Sequence, residues 1–419
     1  MRRARAAGDT LKIIVLCPHF EPDTAPTGVV MTRIVHELGR LGHEVHVVTA
    51  LPWYREHRVD DGWTDVRWRT RTSVTDFGSV TRLNPFAGDD RRNLFRRALG
   101  FVGFTFLALV AGVRVARSSR RVDAVVAMSP PLTLGICGWL VALVRRGRLV
   151  FNIQDVFPDA AVETGAITNR WIIAVARALE RLSYRLSDAV TVLSDDLRDN
   201  VASKLPAHRR DRVVVIPNFV DTEVIRPMSS STTYRRELGL DDRPVVMYAG
   251  NVGFSQSLDL MVGAATRRPE YQFVINGSGS ARASLEVSAS SLSNVVFGDY
   301  QPVERLSEVL ATGDVHVVPL RAGLGRVSVP SKTYSIMAAG RPVVAAIDPG
   351  TEVTRMIGAC DGGVCVPPDD LDSFVAALDS VLRDRDDGVR MGARAREYVL
   401  SIASPSAVAA RYDDLIRGL

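Results

Sequence analysis

The stretch LKIIVLCPHFEPDTAPTGVVMTRIVHELGRLGHEVHVVTA, residues 11–50, decides the fold. LKIIVLC (11–17) is a continuous apolar run, which predicts a strand buried on both faces of a parallel sheet. VVMTRIVHELGRLG has helical periodicity and stops at Gly42, a C-cap signal. HEVHVVTA (43–50) is again a strand. Strand, loop, helix and strand make a βαβ unit. VDAVVAMS, GRLVFNI and SDAVTVLS (187–194) extend the series.

The alternation starts afresh after LPAHRRDRVVVIPNFVD. Strands are predicted at 244–250, 271–277, 294–299, 314–320 and 341–347, and helices at 257–267, 280–290, 303–312 and 331–339. The fold class is α/β: two doubly wound, Rossmann-like halves. The expected division is 1–210, 211–400 and a C-terminal helix, 401–419, broken from its predecessor near Pro405 and crossing back to the first half.

Composition is that of a globular protein, with 46% hydrophobic and 24% charged residues. Four scattered cysteines make neither a disulfide framework nor a zinc site, so reduced core thiols in a cytosolic protein are expected. The opening MRRARAAGDTLKIIVLC has an apolar run of strand length, so no signal peptide is read. The net charge of +5 is uneven: about +7 in residues 1–200 and about −2 beyond. Residues 91–148 carry about eleven arginines against one acid, Asp123. They rim two apolar segments, 98–113 and 130–144, both short for a membrane span. Core helices account for the apolar residues alone. The flanking Arg91, Arg92, Arg96, Arg97, Arg114, Arg117, Arg120, Arg121, Arg145, Arg146 and Arg148 predict a peripheral contact with an anionic membrane surface.

Three strand-to-helix turns are candidates for anion binding. PDTAPTGVV brings Gly28 to a helix start, where bare backbone N–H groups favour an anion. GNVGFSQSLD places Gly250, Asn251, Gly253 and Gln256 after a strand, and Gly277 follows the next one. Taken alone these are ordinary turns. SVPSKTYSIMAAGRPVVAA (328–346) sets Pro330, Ser331, Lys332 and Thr333 at a helix start, in a chain whose lysines are Lys12, Lys204 and Lys332 alone. Pro330 and Ser331 suit that start, Ser331 as a cap. A lysine there opposes the helix dipole unless an anion binds beside it. A tolerated surface lysine is the alternative.

These residues carry a resemblance. VVVIPNFVDTEVIRP, MYAGNVGFSQSLDLMVGAA, VINGSGSARASLE, VVFGDYQPVERLSEVLATGDVHVVPL and the PSK stretch, in this order, resemble the retaining glycosyltransferases of the GT-B fold, family four. PHFEPDTAPTGVVMTRIVHELGRLGHEVHVVTALPWY and NIQDVFPDAAVETG resemble its colanic-acid-type and N-acetyl-fucosamine-type branch of bacterial surface polysaccharide assembly. The resemblance implies two Rossmann-like domains facing a cleft, a nucleotide-sugar donor (a UDP-sugar) held by the second half, and a glycan or lipid-linked sugar acceptor held by the first. It implies a cytoplasmic protein at the inner face of the cell membrane, with no cofactor, no metal and no nucleic-acid partner.

The donor side would comprise Gly28, Gly250, Asn251, Gly253, Gln256, Gly277, Tyr300, Pro330, Ser331, Lys332, Thr333 and Glu352. Relatives place Arg and Lys where this chain has Asn251 and Gln256, leaving Lys332 as the main cation at the diphosphate. They also carry an E-x(7)-E pair where this chain has Val327 and Ser335; Glu352 is the candidate stand-in. Asp155 follows GRLVFNI at the rim where open sheets bind ligands, and is expected to orient or deprotonate the acceptor; capping the next turn is its structural alternative. His19, Glu21 and Asp23 are further acceptor-side candidates, His19 equally a packing residue. With Lys332, Asp155 completes the catalytic pair. Loss of both glutamates leaves a non-catalytic scaffold as an alternative, and a nucleotide-sugar epimerase on the same fold, which would want a histidine such as His316 near the sugar, as another.

Overall fold

The computed structural model describes residues 9–53, 59–63, 70–84, 94–115, 121–154, 156–159, 169–324 and 330–419. The chain divides into two compact units: residues 1–218 with 408–419, and residues 219–407.

The strands of the first unit are β1 (Lys12–Leu16), β2 (Glu44–Ala50), β3 (Arg71–Thr75), β4 (Gly78–Leu83), β5 (Ala124–Ser129), β6 (Arg148–Ile153), β7 (Ala189–Val192) and β8 (Val213–Val215). They form one sheet in the order β3-β4-β2-β1-β5-β6-β7-β8. Every neighbouring pair is parallel except β3 with β4. β1 is apolar along its length because both sheet faces are covered.

Between these strands run α1 (Pro26–Arg40), α2 (Leu94–Arg114), α3 (Thr133–Arg145), α4 (Arg170–Leu186) and α5 (Asp195–Ser203). α1 opens on Pro26, whose fixed φ suits a first turn, and buries Met31, Ile34, Val35 and Leu38 at helical spacing. α2 and α3 bury Phe104, Ala108, Leu134 and Val141 in the core over β1, β5 and β6.

The second unit repeats the scheme. α6 (Thr233–Glu237) precedes β9 (Val245–Ala249), and α7 (Asp259–Arg267) precedes β10 (Gln272–Asn276). Then come α8 (Arg282–Ser288), β11 (Val295–Gly298), α9 (Leu306–Thr312), β12 (Val315–Pro319), α10 (Lys332–Ala338), β13 (Val343–Ala346), α11 (Glu352–Cys360) and β14 (Gly363–Val366). The all-parallel sheet runs β11-β10-β9-β12-β13-β14. α12 (Leu371–Leu382), α13 (Arg385–Ala403) and α14 (Pro405–Gly418) end the chain, and residues 408–419 belong to the first unit.

The predicted strands and helices of both halves fall on observed elements. The β3–β4 hairpin, β8, β14, α4, α5, α6 and α11 were not among them. β3 is a polar edge strand, RTSVT, without the apolar run of its neighbours. Segments 98–113 and 130–144 lie in α2 and α3, and among the described residues no helix is long and apolar enough to cross a membrane.

In each sheet the strand order reverses direction at one point, β1/β5 in the first unit and β9/β12 in the second. Open α/β sheets bind ligands outside the C-terminal ends of strands at such points.

Candidate functional site

In the second unit, the turn after β9 meets the start of α10. A cavity of about 140 Å³ lies there. Gly250, Tyr300, Lys332 and Ser335 line it, with Asn276, Gln301 and an apolar wall from Leu306 and Leu310. The ammonium of Lys332 sits 3.8 Å from the centroid of the Tyr248 ring, a cation–π contact, and donates to the Tyr248 hydroxyl. Tyr248 in turn donates to the carbonyl of Asn251. No carboxylate pairs with Lys332 among the described residues, and none lines the cavity. Burial pushes the Lys332 pKa down to about 7. A desolvated ammonium with no counter-ion is what a phosphate would complete.

Two glycines make room for it. Gly250 has φ +146°, and a Cβ there would lie 3.2 Å from Lys332 Nζ. Gly277 has φ +138°, and a Cβ on it would lie 1.9 Å from the Gly250 carbonyl oxygen. The turn after β9 is thus locked to the end of β10, Gly250 donating to Asn276 O at 2.9 Å, and the turn after β10 to the end of β11, Gly277 donating to Gly298 O at 3.0 Å.

The adjoining turn is closed by its own side chains. Gln256 accepts from the Gly253 N–H at 3.0 Å, and a Cβ on Gly253 would meet both Asn251 and Gln256 within 3.0 Å. The next helix starts at Asp259, six residues beyond Gly253, so no helix N-terminus lies directly behind that glycine. Ser331 has helical φ and ψ and makes no side-chain cap bond, contrary to its expected capping. Thr333 is fully buried, with its N–H bonded to Pro330 O, and it is absent from the cavity lining. Glu352 opens α11, holds Arg355 at 2.9 Å and does not line the cavity. Pro330 immediately precedes Ser331.

In the first unit, the loop after β1 carries His19, Glu21 and Asp23. His19 Nδ1 and Asp23 Oδ2 are 2.7 Å apart, and both residues are buried. Asp23 also accepts from the backbone N–H groups of Ala25 and Trp53, each at 3.4 Å. The His19 ring centroid lies 5.3 Å from that of Trp53. Glu21 is more open and pairs with His36 at 2.9 Å. A Cβ on Gly28 would stand 2.8 Å from His19 Cβ, so that glycine admits the protein's own loop. Asp155 lies outside the described residues, as do Val327, Arg91, Arg92, Arg117, Arg120 and the side chains of Arg96 and Arg97. Its neighbour Gln154 is buried at the end of β6 and donates to Asn152 Oδ1 at 2.8 Å, while Asn152 donates to Tyr412 Oη at 2.7 Å. His316 points into the core of the second unit, bonded to Leu310 O at 2.7 Å and held neutral by burial, with its pKa pushed down to about 4.

Sequence reasoning did not single out Asn276, Gln301 or Tyr248. Asn276 had a signal, a polar residue ending an otherwise apolar strand. Tyr248 reads as core, and its link to Lys332 is a tertiary contact.

The chain belongs to the glycosyltransferases of the GT-B fold, and is made of two Rossmann-like units. It belongs to that superfamily through both halves: residues 27–218 match the family described as Glycosyl transferase 4-like domain, and residues 243–384 match Glycosyl transferases group 1. Among curated relatives it is similar to the putative colanic acid biosynthesis glycosyl transferase WcaI of Escherichia coli (strain K12). That identity is 26% over 386 residues, covering 89% of this chain and 92% of the relative. It is also similar to the alpha-D-kanosaminyltransferase of Streptomyces kanamyceticus, 32% identical over 55% of this chain and 61% of the relative. The sucrose-phosphate synthase of Thermosynechococcus elongatus superposes with a TM-score of 0.70 at 17% identity, over 97% of this chain and 98% of that one. Anabaena Alr3699/HepE in complex with UDP superposes at 0.66 and 13% identity, over 98% and 100%.

Proposed function

We propose that this glycosyltransferase moves a sugar from a nucleotide-sugar donor, a UDP-sugar, to a glycan or lipid-linked sugar acceptor, with retention, in the assembly of a cell-envelope polysaccharide. The second unit holds the donor and the first holds the acceptor. One observation carries the reading: the half-buried Lys332, with no carboxylate partner among the described residues, lines a cavity beside Gly250 at the switch point of the second sheet. The kinship with WcaI, named for colanic acid biosynthesis, supports the pathway class, and the likeness to a UDP complex supports the donor.

In this reading Lys332 and the backbone around Gly250 stabilise charge on the departing diphosphate. Asn251, Gly253 and Gln256 shape the turn that carries Gly250, Gly277 supports it from below, and Tyr300 borders the sugar or base. Pro330, Ser331 and Thr333 place Lys332. Asp155, with the His19–Asp23 pair and Glu21, serves the acceptor hydroxyl. Positioning supplies most of the rate, and the leaving diphosphate helps deprotonate the acceptor on the face it departs from. The protein works at the inner face of the cell membrane, against an anionic surface.

A second reading, a non-catalytic scaffold, draws on Ser335 in the cavity where relatives carry a glutamate. Purified protein incubated with a panel of nucleotide sugars separates the two. Sustained release of nucleoside diphosphate, with or without added acceptor, is the expected result. Ligand-induced stabilisation without any turnover would favour the scaffold.

A further inference from the structure

α4 turns the wrong side outward. Its inner face is Ala176, Glu180, Ser183 and Tyr184. Its outer face begins with Trp171, 81% exposed, Ile172, 54%, and Val175, 59%. A helix that merely covered a sheet would place those three inward and the glutamate outward.

The inner face is well held where it is. Glu180 receives Lys204 at 2.5 Å and the Tyr184 hydroxyl at 3.0 Å, and Lys204 also reaches Asp159 at 2.6 Å. A Cβ on Gly135 of α3 would lie 2.5 Å from Ser183 Cβ, so the two helices cross closely. Asn169 caps the start of α4 by accepting from the N–H groups of Trp171 and Ile172. The outward apolar face is therefore the one this packing leaves free.

Its charge has a single sign. Arg170, Arg177, Arg181 and Arg185 are all exposed. Glu180, the only acid of the helix, is buried against Lys204. Arg177 approaches Asp159 at 3.9 Å, and no carboxylate pairs with Arg170, Arg181 or Arg185 among the described residues. An aromatic-led apolar turn followed by arginines matches an anionic lipid surface, with rings and aliphatic groups entering the headgroup region and guanidinium groups meeting phosphates.

The place of the helix gives this a use. α4 connects parallel strands β6 and β7, so it starts at the C-terminal edge of the sheet and runs back. Trp171 thus stands at the edge where β6 ends and Gln154 begins, the acceptor-side rim.

We propose that the outer face of α4 is the membrane-docking surface of the first unit, and that it seats the acceptor rim on an anionic leaflet so that a lipid-anchored sugar can reach it. This rests on the membrane reading given above and names its surface: α4, not the arginine-rich 91–148 segment. Val102 and Phe106 of α2 are also exposed, and they supply the control.

The test is sedimentation of the full chain with vesicles of phosphatidylcholine, with and without phosphatidylglycerol, at low and high salt. Wild type should partition onto the anionic vesicles at low salt and come off at high salt. Trp171→Ser with Val175→Ser should lower that partitioning about tenfold. Arg177→Gln, Arg181→Gln and Arg185→Gln together should remove the salt dependence. Phe106→Ser should bind as wild type does, and all variants should keep the thermal shift given by UDP. If the α4 variants bind like wild type while Phe106→Ser does not, the α4 assignment is overturned and the membrane reading stands. If wild type ignores anionic vesicles, both are overturned. A dimer that Trp171→Ser dissolves, without vesicle binding, would make the face a protein interface and overturn the proposal.

Discussion

Lys332 shows how far a single residue could be understood before its surroundings were known. Its placement at a helix start, against the dipole, marked it as an anion ligand or a tolerated misfit. The structure adds partial burial, the Tyr248 ring and the absence of a carboxylate partner among the described residues. None of these can be read locally, because Tyr248 is 84 residues away in sequence. Gly250 and Gly277 were legible as turn glycines, but the reason for each is tertiary. Gly277→Ala would push a Cβ into the Gly250 carbonyl and force an unfavourable φ. It should lower stability by about 3 kcal/mol in urea unfolding and weaken nucleotide binding with it. Thr333 and Glu352 came from the resemblance; one is buried and the other is held by Arg355. Asp155 is proposed to serve the acceptor side. Asp155→Asn should cut transfer at least about a hundredfold while leaving the affinity for UDP within about twofold of wild type. An equal fall in both would assign the residue to the donor site or to the fold.

At the scale of elements, legibility followed burial. Strands covered on both faces announce themselves as apolar runs, so β1, β2, β5, β6 and most of the second sheet were found to within a residue or two. β3 was missed because a polar edge strand needs no such run, β4 because GSVTRL has none although it lies inside the sheet, and their turn at Asp76–Phe77 lacks the usual Asn-Gly signal. α4 was missed although its helical spacing and its Asn169 cap are both legible in the sequence; only the outward direction of its apolar face is tertiary. What fixes α4 is a charge cluster. Lys204→Ala would leave Glu180, 1% exposed, without its ammonium partner. Removing one member of a buried pair should cost about 3 kcal/mol or more. Burial already raises the Glu180 pKa. Without Lys204 it would rise further, the native carboxyl would hold its proton, and the deficit should grow from pH 5 to pH 8, because the unfolded state ionises first. Chemical denaturation at the two pH values checks this. A deficit equal at both would mean that the pair contributes nothing through charge. Among the chain's lysines, Lys12, a surface partner of Glu44, is therefore the suitable control for substitutions of Lys332.

At the scale of the molecule, two βα series in one chain implied two doubly wound units, and the fold class follows from the periodicity alone. The family required the residues of the turns, since many unrelated activities share such sheets. The basic excess lies in the first half and the second half is mildly acidic, the asymmetry on which the proposed membrane contact of the first unit rests. The second unit is proposed to close Lys332 on a donor diphosphate, and calorimetric titration of the chain with UDP tests this. With its pKa near 7 in the free protein, Lys332 is partly neutral above that pH, and a bound diphosphate would restore the charged form. Binding at pH 8 should therefore take up a fraction of a proton, seen as a heat that changes with buffer ionisation enthalpy. Affinity should fall as pH rises above about 7. Lys332→Ala should weaken UDP binding at least about thirtyfold and abolish the proton uptake, while Lys12→Ala does neither. UDP binding of equal strength in wild type and Lys332→Ala, with no proton uptake in either, would contradict the claim.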